Sequence, residues 1–338
     1  MSTYRAFEVT GSHEFALVNR ELHPPAPGQV RLRVLTCGVC HTDMFAAEGI
    51  RADPSQPVVP GHEIVGVIDA VGDGVSLWQV GERVGVSYLG GQCNECDNCR
   101  RGDFIHCTDQ PQTGSSVDGG YAEVVYARTS GLVRIPEDIS AVDAAPLLCA
   151  GMTTYKALVG LDLRPGALVA IQGIGGLGHL GLQYARKLGH RVVAIARGTE
   201  KAPLAERLGA DHYIDSAAED PGAALQRLGG ADAIIATAAS GASMSPLLAG
   251  LAPRGELVVV GAAFDPIAVN IPDLLGGGRR ISSFLGGTAA ETEQTVAFSA
   301  RNGVRAMTET MPWTEAPKAY GRMMAGDARF RIVLEVAA

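Results

Sequence analysis

The chain has 338 residues, a formal net charge of −8 and a sequence pI of about 5.5. This length is typical of two domains, each large enough to bury its own hydrophobic core. The acidic charge gives no support for binding nucleic acid or an anionic membrane surface, and no apolar run is long enough to cross a bilayer. The first residues, MSTYRAFEVT, lack the basic and apolar stretches of a secretory signal, so we expect a cytoplasmic protein.

The chain up to about Gly151 consists of short segments that Gly and Pro interrupt. The clearest of these segments are QVRLRVLTCGV, HEIVGVIDAVG, ERVGVSYLG and YAEVVYA. Their alternation of apolar and polar residues predicts β-strands, which suit a small, partly open β-barrel.

Metal-ligating residue types are scattered through this first part. Cys40-His41-Thr42-Asp43 lies in a Gly-rich turn, Gly61-His62-Glu63 begins a strand, and Cys149 comes much later. Two thiolates and one imidazole would leave a fourth zinc position open, which is the form that catalysis requires. Spacing alone does not bring these three residues together. Taken singly, His62 also fits a hydrogen-bonded turn histidine, and Cys149 a buried apolar thiol.

A local cysteine cluster is the strongest single signal. Cys93, Cys96, Cys99 and Cys107 have the spacing C-x2-C-x2-C-x7-C. Thiolates at this spacing converge on one tetrahedral ion, and a closed shell of four sulfurs is typical of structural zinc. Disulfides fit poorly with a cytoplasmic chain. We therefore predict a structural zinc site here.

From Leu168 onward, apolar strands alternate with helices. LVAIQG, RVVAIA, HYID, AIIAT, ELVVVG and RISSFLG are predicted strands, while LGHLGLQYARKLG and KAPLAERLG are predicted helices. Continuous apolar strands that alternate with helices indicate a parallel sheet covered on both faces. The later segments ETEQTVAFSARNG and RFRIVLEV break this alternation. We expect them to rejoin the first domain, which makes the α/β part an insertion.

The first strand-to-helix junction carries the motif G-x-G-x-x-G, from Gly173 to Gly178. The motif is weak alone, but here it follows a strand and opens a helix, which is typical of dinucleotide binding. Gly173 permits a tight turn, Gly175 lets backbone amides approach a pyrophosphate, and Gly178 allows close packing of the helix on the strand. The positive end of the helix then faces the phosphates.

The end of the next strand indicates which dinucleotide binds. An NAD site usually has an acid there to bind the ribose hydroxyls, but this chain has Ala196, followed by Arg197, Gly198 and Thr199. The missing acid and the guanidinium favour the 2′-phosphate of NADP(H). The alternative stays open that Arg197 stacks on the adenine, so that NAD(H) binds as well.

Together these motifs resemble those of the zinc-containing alcohol dehydrogenases of the medium-chain dehydrogenase/reductase family, close to the yeast-type branch. CGVCHTD, PGHEIVG, the four cysteines, CAGMTTYKAL and GIGGLGHLGLQYAR follow one another in the family's order and at its distances. The resemblance implies a Rossmann doubly wound parallel sheet, residues 153–287, inserted in a GroES-like, partly open β-barrel. That catalytic domain would comprise residues 1–152 and 288–338, with a zinc lobe at 90–108.

The resemblance also implies roles for individual residues. Cys40, His62 and Cys149 would bind the catalytic zinc, Glu63 would be a conditional ligand, and Thr42 would carry the alcohol proton away. Asp43 would orient His62, as outer-shell partners of metal-bound imidazoles do. His41 and Arg331 would contact the pyrophosphate, Thr153 the nicotinamide and Lys201 the adenine ribose. Motif and resemblance together give the cofactor-binding residues His41, Thr153, Gly173, Gly175, Gly176, Leu177, Gly178, Ala196, Arg197, Thr199, Lys201 and Arg331.

Two positions depart from the family pattern. Phe45 replaces the histidine of the full proton relay, so the proton must leave Thr42 and the cofactor ribose for water by another route. Ala196 replaces the NAD-selecting aspartate. Cys37 is interpreted as a core thiol, and Tyr88, Phe45 and Trp313 as apolar walls of the substrate site.

The predicted activity is reversible hydride transfer between an alcohol and a nicotinamide cofactor, with two zinc ions per chain. A polyol dehydrogenase is the nearest alternative, and a zinc-free quinone or enoyl reductase would share the fold without needing seven ligands. A zinc-ribbon binding module is disfavoured because only Arg100 and Arg101 are basic near the cysteines, against Glu95, Asp97 and Asp103. The resemblance further implies a homotetramer or homodimer, with the RISSFLG strand as a candidate contact.

Overall fold

The computed structural model describes residues 2–10, 13–50, 53 and 55–336. The chain forms two compact units. Unit 1 comprises Met1–Met152 and Gly286–Ala338, and unit 2 comprises Thr153–Leu285. The α/β part is thus inserted in the other unit, and the return to unit 1 falls at Gly286, slightly before the predicted residue 288.

Strands account for most of the regular structure of unit 1, whereas strands and helices alternate in unit 2. The strands in chain order are β1 (Thr3–Val9), β2 (Phe15–Glu21), β3 (Gln29–Val39), β4 (Glu63–Val71), β5 (Arg83–Val86), β6 (Val124–Arg128), β7 (Leu132–Arg134), β8 (Leu168–Gln172), β9 (Arg191–Ala196), β10 (His212–Asp215), β11 (Ala231–Ala236), β12 (Leu251–Val259), β13 (Arg280–Ser283), β14 (Thr308–Pro312) and β15 (Arg331–Glu335). The predicted strands are confirmed.

The helices are mostly short. They are α1 (Met44–Ala47), α2 (Asp97–Arg100), α3 (Ala141–Ala144), α4 (Ala150–Val159), α5 (Gly178–Lys187), α6 (Ala202–Arg207), α7 (Pro221–Arg227), α8 (Gly241–Met244), α9 (Ile271–Gly277), α10 (Ala289–Asn302) and α11 (Ala316–Met324). Short 3₁₀ segments of three to six residues occur at His41–Asp43, Thr129–Gly131, Ala145–Leu148, Ser245–Gly250 and Trp313–Glu315. Among the described helices, none has the length and apolar character that a membrane span requires.

Unit 1 is built around a seven-stranded sheet with the order β14-β15-β3-β4-β5-β7, in which β6 also pairs with β3. Only β14 and β15 pair in parallel; the other pairs are antiparallel. The β3–β4 pairing has two register shifts, and such bulges bend a strand and increase its twist. The long β3 can therefore pair with β4 and β15 and also with β6, as a partly open barrel requires.

The core of unit 1 combines the buried faces of these strands with the segment that returns after unit 2. Trp313, on its 3₁₀ turn, is 3% exposed and packs edge-on against Phe7 with ring centroids 5.6 Å apart. It belongs to this core rather than to an exposed apolar wall. Cys37 is also fully buried in the core, in agreement with its interpretation as a structural thiol.

Unit 2 is an α/β fold with a six-stranded parallel sheet in the order β10-β9-β8-β11-β12-β13. The direction of strand order reverses between β8 and β11, and such switch points are where open α/β sheets bind ligands. All five residues of β8 are buried, which explains its continuous apolar sequence. The predicted Rossmann fold is confirmed, and the glycine motif follows β8, at that switch point.

Candidate metal centres and cofactor site

The scattered candidates of unit 1 form one buried cluster. One ligand atom from each of Cys40, His62, Glu63 and Cys149 lies within 4.8 Å of every other. The sulfurs of Cys40 and Cys149 are 3.8 Å apart. His62 and Glu63 are 1% and 0% exposed. Two thiols, one imidazole and one carboxylate, shielded from water, are a donor set that suits zinc.

The sheet of unit 1 brings this cluster together. Antiparallel pairing of β3 and β4 places Gly38 opposite Glu63, so that Cys40, just after β3, lies beside His62, just before β4. A Cβ atom at Gly38 would overlap the Glu63 carboxylate, so a glycine is needed there. Cys149 follows the 3₁₀ turn Ala145–Leu148 and supplies the second sulfur. Cys40 is the N-cap residue of the short 3₁₀ helix His41–Asp43, in the segment where the sequence predicted a turn.

Two buried polar atoms of the cluster lack a protein partner among the described residues. They are His62 Nε2 and Glu63 Oε2. Buried polar atoms are rarely left unpaired in folded proteins, so unpaired atoms in a cluster of ligand types indicate a missing partner. The hydrogen bond with the Cys149 thiol lowers the pKa of Cys40 well below that of a free thiol, although burial opposes this. The unpaired ring nitrogen, the unpaired carboxylate oxygen and the two neighbouring sulfurs therefore fit a zinc ion.

Asp43 holds two of the candidate ligands. Its Oδ1 lies 2.9 Å from His62 Nδ1, and its Oδ2 accepts a hydrogen bond of 2.9 Å from the backbone N–H of Cys40. The orienting role that the resemblance implied for Asp43 agrees with this contact. A third partner, Tyr121, donates its hydroxyl to Oδ2 at 2.8 Å. Burial, together with the charge of Asp43, raises the pKa of Tyr121 well above its ordinary value, so the phenol stays protonated and donates.

Arg331 lies in the same buried region. Its guanidinium is paired with Glu63 Oε1, and the two side chains are 5% and 0% exposed. Burial raises the pKa of Glu63 to about 7, and the charge of Arg331 opposes that rise. Within unit 1, Arg331 thus contacts Glu63, the conditional metal ligand. The pyrophosphate contact implied by the resemblance stays a prediction.

The remaining candidates near the cluster lie close to Cys40 or His62. His41 is exposed and Thr42 half-buried on the 3₁₀ helix, and Phe45 is half-buried on α1. The Tyr88 ring stands edge-on to the His62 ring with centroids 5.3 Å apart. Tyr88 is therefore adjacent to the metal cluster, as expected of a wall residue.

The four local cysteines form the second cluster. Their sulfurs lie within 4.8 Å of one another, and Cys93 and Cys96 are more exposed than Cys99 and Cys107. Backbone N–H groups of Glu95 and Cys96 each donate to the Cys93 sulfur at 3.4 Å. Hydrogen bonds from backbone N–H groups lower the pKa of Cys96 to about 6. Burial instead raises the pKa of Cys99 to about 12, so the fit to a closed zinc site rests on the four converging sulfurs.

The glycine motif of unit 2 forms a tight turn between β8 and α5. Gly173 has a φ of +89°, and a Cβ at Gly178 would overlap the carbonyl of Gly173. Gly175 faces open space, with nothing within 4 Å of an added Cβ. Gly176 and Leu177 complete the turn and are half-buried. Each glycine thus has the property that the predicted pyrophosphate contact needs.

The loop after β9 carries the candidates for cofactor selection. Ala196 is half-buried at the end of the strand, and Arg197 and Thr199 are exposed. Gly198 is held from both sides, because its N–H donates to Asp215 Oδ1 at 2.8 Å and its carbonyl accepts the Tyr213 hydroxyl at 2.6 Å.

The last two candidates lie within unit 2. Lys201 Nζ donates to the Ile174 carbonyl at 2.9 Å, which ties this loop to the glycine turn. Thr153 lies on α4. The sequence gives no sign of the contacts made by Tyr213, Asp215 or Tyr121, because their partners are distant along the chain.

Comparison with known proteins identifies the family of this chain. Residues 26–137 match the alcohol dehydrogenase GroES-like domain, and residues 176–301 match the zinc-binding dehydrogenase model. The chain is 42% identical over 310 residues to the alcohol dehydrogenase patD of Penicillium expansum, covering 92% of this chain and 91% of that one.

Two solved structures have the same fold over nearly their whole length. A cinnamyl alcohol dehydrogenase of Sorghum bicolor superposes with a TM-score of 0.88 and 32% identity, covering 100% of this chain and 98% of that one. A second structure, described as CAD from Helicobacter pylori complexed with NADP(H), superposes with a TM-score of 0.87 and 27% identity, covering 98% of each chain. The chain belongs to the zinc-containing alcohol dehydrogenases of the medium-chain dehydrogenase/reductase family and is an NAD(P)-dependent alcohol dehydrogenase.

Proposed function

We propose that this enzyme transfers hydride reversibly between a primary or secondary alcohol and a nicotinamide cofactor, with two zinc ions per chain. The observation that carries the proposal is the buried cluster of Cys40, His62, Glu63 and Cys149, whose ligand atoms converge within 4.8 Å. His62 Nε2 faces no protein partner among the described residues, as a metal-ligating nitrogen requires.

In this proposal Cys40, His62 and Cys149 hold the catalytic zinc, and Glu63 is a conditional ligand. A zinc ion in such a site supplies Lewis acidity toward an alcohol or carbonyl oxygen. Asp43 keeps the imidazole of His62 oriented through Nδ1, which leaves Nε2 available for the metal. Cys93, Cys96, Cys99 and Cys107 hold the structural ion.

Thr42 handles the alcohol proton in the proposed reaction. The residue is half-buried on the 3₁₀ helix that follows Cys40, two positions after a candidate metal ligand. Phe45 has no titratable group, so a proton taken up by Thr42 Oγ1 would leave toward water without the help of residue 45. A bound nicotinamide cofactor would supply the redox chemistry as the hydride acceptor or donor.

We infer that NADP(H) is the preferred cofactor. Ala196 leaves the end of β9 without an acid, and Arg197 and Thr199 are exposed in the loop that follows. An arginine binds a phosphate with charge-assisted hydrogen bonds, which a ribose hydroxyl does not match. The NADP(H) complex of the Helicobacter pylori relative supports this choice.

A substrate panel with both cofactors, combined with zinc analysis, tests the proposal. Aliphatic, aromatic and polyol substrates are assayed with NADP(H) and with NAD(H), and metal is measured in the same preparation. We expect two zinc ions per chain, turnover of simple alcohols, and a higher kcat/KM with NADP(H). Turnover of polyols alone would favour a polyol dehydrogenase, and an active metal-free protein would exclude the proposed zinc site.

We also propose that the enzyme is a homo-oligomer, either a tetramer or a dimer. Strand β13 is one of the two outer strands of the unit 2 sheet, and unprotected edge strands pair readily with a second chain. Exposed apolar side chains surround it, including Ile281, Leu285 and Leu275, which are 38%, 70% and 74% exposed. Light scattering of the purified protein is expected to give a multiple of the 35.1 kDa chain mass. A monomer would contradict the proposal.

A reducing compartment, such as the cytoplasm, suits the proposed zinc chemistry. All seven cysteines are free thiols in the structure, and six of them belong to the two clusters. Zinc binding requires these sulfurs as thiolates, which an oxidising compartment would convert to disulfides.

A further inference from the structure

Tyr121 is a fully buried residue that neither the motifs nor the resemblance singled out. It lies just before β6, is 0% exposed, and has its hydroxyl 2.8 Å from Asp43 Oδ2. Its ring also packs against the residue before His62, since a Cβ added at Gly61 would lie 2.5 Å from the ring. Its backbone N–H donates to the Pro60 carbonyl at 3.0 Å. Tyr121 thus contacts both the partner of His62 and the segment that carries His62.

The two carboxylate oxygens of Asp43 contact different groups. Oδ1 faces His62 Nδ1 at 2.9 Å, whereas Oδ2 accepts from the Cys40 N–H at 2.9 Å and from the Tyr121 hydroxyl. Asp43 is 2% exposed, so water does not readily take the place of a donor that is removed, and the unpaired oxygen would destabilise the folded protein. Two donors on Oδ2 fix the rotation of the carboxylate about its last torsion. That rotation in turn sets where Oδ1 meets the imidazole.

We propose that Tyr121 is a positioning residue for the catalytic zinc: its hydroxyl fixes the Asp43 carboxylate so that Asp43 holds both His62 and Cys40. This inference rests on the zinc site proposed above for Cys40, His62 and Cys149. Outer-shell partners of metal ligands affect metal affinity about 10- to 100-fold when they are removed. Tyr121 acts one contact further out, on the partner itself.

The test compares Tyr121→Phe with the matched control Tyr320→Phe. Both changes remove one buried hydroxyl from unit 1, but the Tyr320 hydroxyl has no hydrogen-bond partner among the described residues. Zinc release from the holoenzyme to a chromogenic chelator is followed over time, and a Cys40→Ser preparation identifies the phase that belongs to the catalytic ion. We expect Tyr121→Phe to speed that phase about tenfold or more and to leave the structural-zinc phase unchanged. Tyr320→Phe is expected to release both ions at the wild-type rates.

Two further measurements separate positioning from a general loosening of unit 1. The absorption bands of the cobalt-substituted catalytic site report ligand geometry, and they are expected to shift in Tyr121→Phe but not in Tyr320→Phe. In an Asp43→Asn background, Tyr121→Phe is expected to change zinc release far less than it does in the wild type, because coupled residues are not additive.

Each outcome bears on one proposal. Wild-type protein that holds no zinc dependent on Cys40 would refute the zinc site itself. A wild-type catalytic ion that leaves Tyr121→Phe at the normal rate, with an unchanged cobalt spectrum, would overturn the role of Tyr121 alone. The same holds if Tyr121→Phe fails to fold with zinc supplied while Tyr320→Phe folds, because Tyr121 would then serve folding rather than ligand position.

Discussion

The two cysteine clusters of unit 1 reach similar donor geometry by opposite routes. Cys93 to Cys107 form a continuous segment that bends back on itself, with two of its sulfurs half-exposed. Cys40 and Cys149, by contrast, are 109 residues apart and meet in a buried region only because the sheet and the 3₁₀ turn before Cys149 bring them there. The local cluster closes a short loop at small entropic cost, whereas the dispersed cluster depends on the folded sheet.

Because one cluster is local and the other is dispersed, we expect the two zinc ions to contribute differently to folding and to catalysis. A local loop with few apolar residues gains its order from the metal, so its zinc contributes mainly to folding. A site assembled by paired strands does not need its metal in order to form, so that ion is available for chemistry. Substituting a cysteine of the dispersed cluster is therefore expected to reduce activity, whereas substituting one of the local cluster is expected to reduce stability.

The largest effect is expected from Cys40→Ser. The change removes a catalytic-zinc ligand, so kcat/KM for alcohol oxidation is expected to fall by at least roughly 1,000-fold, about 4 kcal/mol in barrier height. The protein stays folded, since β3 and β4 pair through their backbones and do not need the sulfur. Steady-state kinetics and circular dichroism measure the two effects, and bound zinc is expected to drop from two ions to one.

Cys37→Ala is the matched control for that change. Cys37 is equally buried but belongs to the core and not to the ligand cluster. Its loss is expected to reduce stability without removing zinc or abolishing turnover. Alcohol oxidation by metal-free Cys40→Ser protein would contradict the role assigned to the dispersed cluster.

The next effect is expected from Cys99→Ala in the local cluster. Losing one thiolate opens the closed site, and we expect a loss of about 2–3 kcal/mol in the free energy of unfolding. For a domain of 150–250 residues this lowers Tm by roughly 4–12 °C, which differential scanning calorimetry measures. The remaining folded enzyme is expected to keep kcat close to the wild-type value. If Tm and the count of two zinc ions both stay unchanged, the local cluster is not a structural zinc site.

The smallest effect is expected in the loop after β9, where Gly198 is held by the distant residues Tyr213 and Asp215. Ala196→Asp introduces the acid that binds ribose hydroxyls and repels a 2′-phosphate. We expect the ratio of kcat/KM for NADP(H) over NAD(H) to fall about tenfold or more, equivalent to about 1.4 kcal/mol. Assays with both cofactors measure the ratio. A wild-type enzyme that already favours NAD(H) tenfold would show that Arg197 does not bind a phosphate.

The sequence predicted the elements whose cause is local. The alternation in QVRLRVLTCGV predicted β3, the apolar run LVAIQG predicted β8, and the cysteine spacing predicted the converging sulfurs of Cys93 to Cys107. Each of these rests on neighbours within one segment, which a single sequence displays.

The contacts that the sequence did not predict are long-range. Tyr121 is 78 residues from Asp43, and Arg331 is 268 residues from Glu63, so no spacing rule connects them. The dispersed ligands Cys40, His62 and Cys149 were assigned through family resemblance, because their meeting depends on strand register. Trp313 shows the same limit, since its position in the core follows from tertiary packing against Phe7.

The position of β15 has a consequence for the order in which this protein forms during synthesis. Residues Arg331–Glu335 lie between β14 and β3 inside the sheet, although they come after the whole of unit 2 along the chain. Unit 2 is one continuous segment and can fold on the ribosome as soon as it emerges, whereas the sheet of unit 1 stays incomplete until β15 arrives. Arg331, the counter-charge of Glu63, arrives with that strand. A nascent chain therefore has all the cluster residues and its dinucleotide fold available before the sheet of unit 1 and the counter-charge of Glu63 are complete.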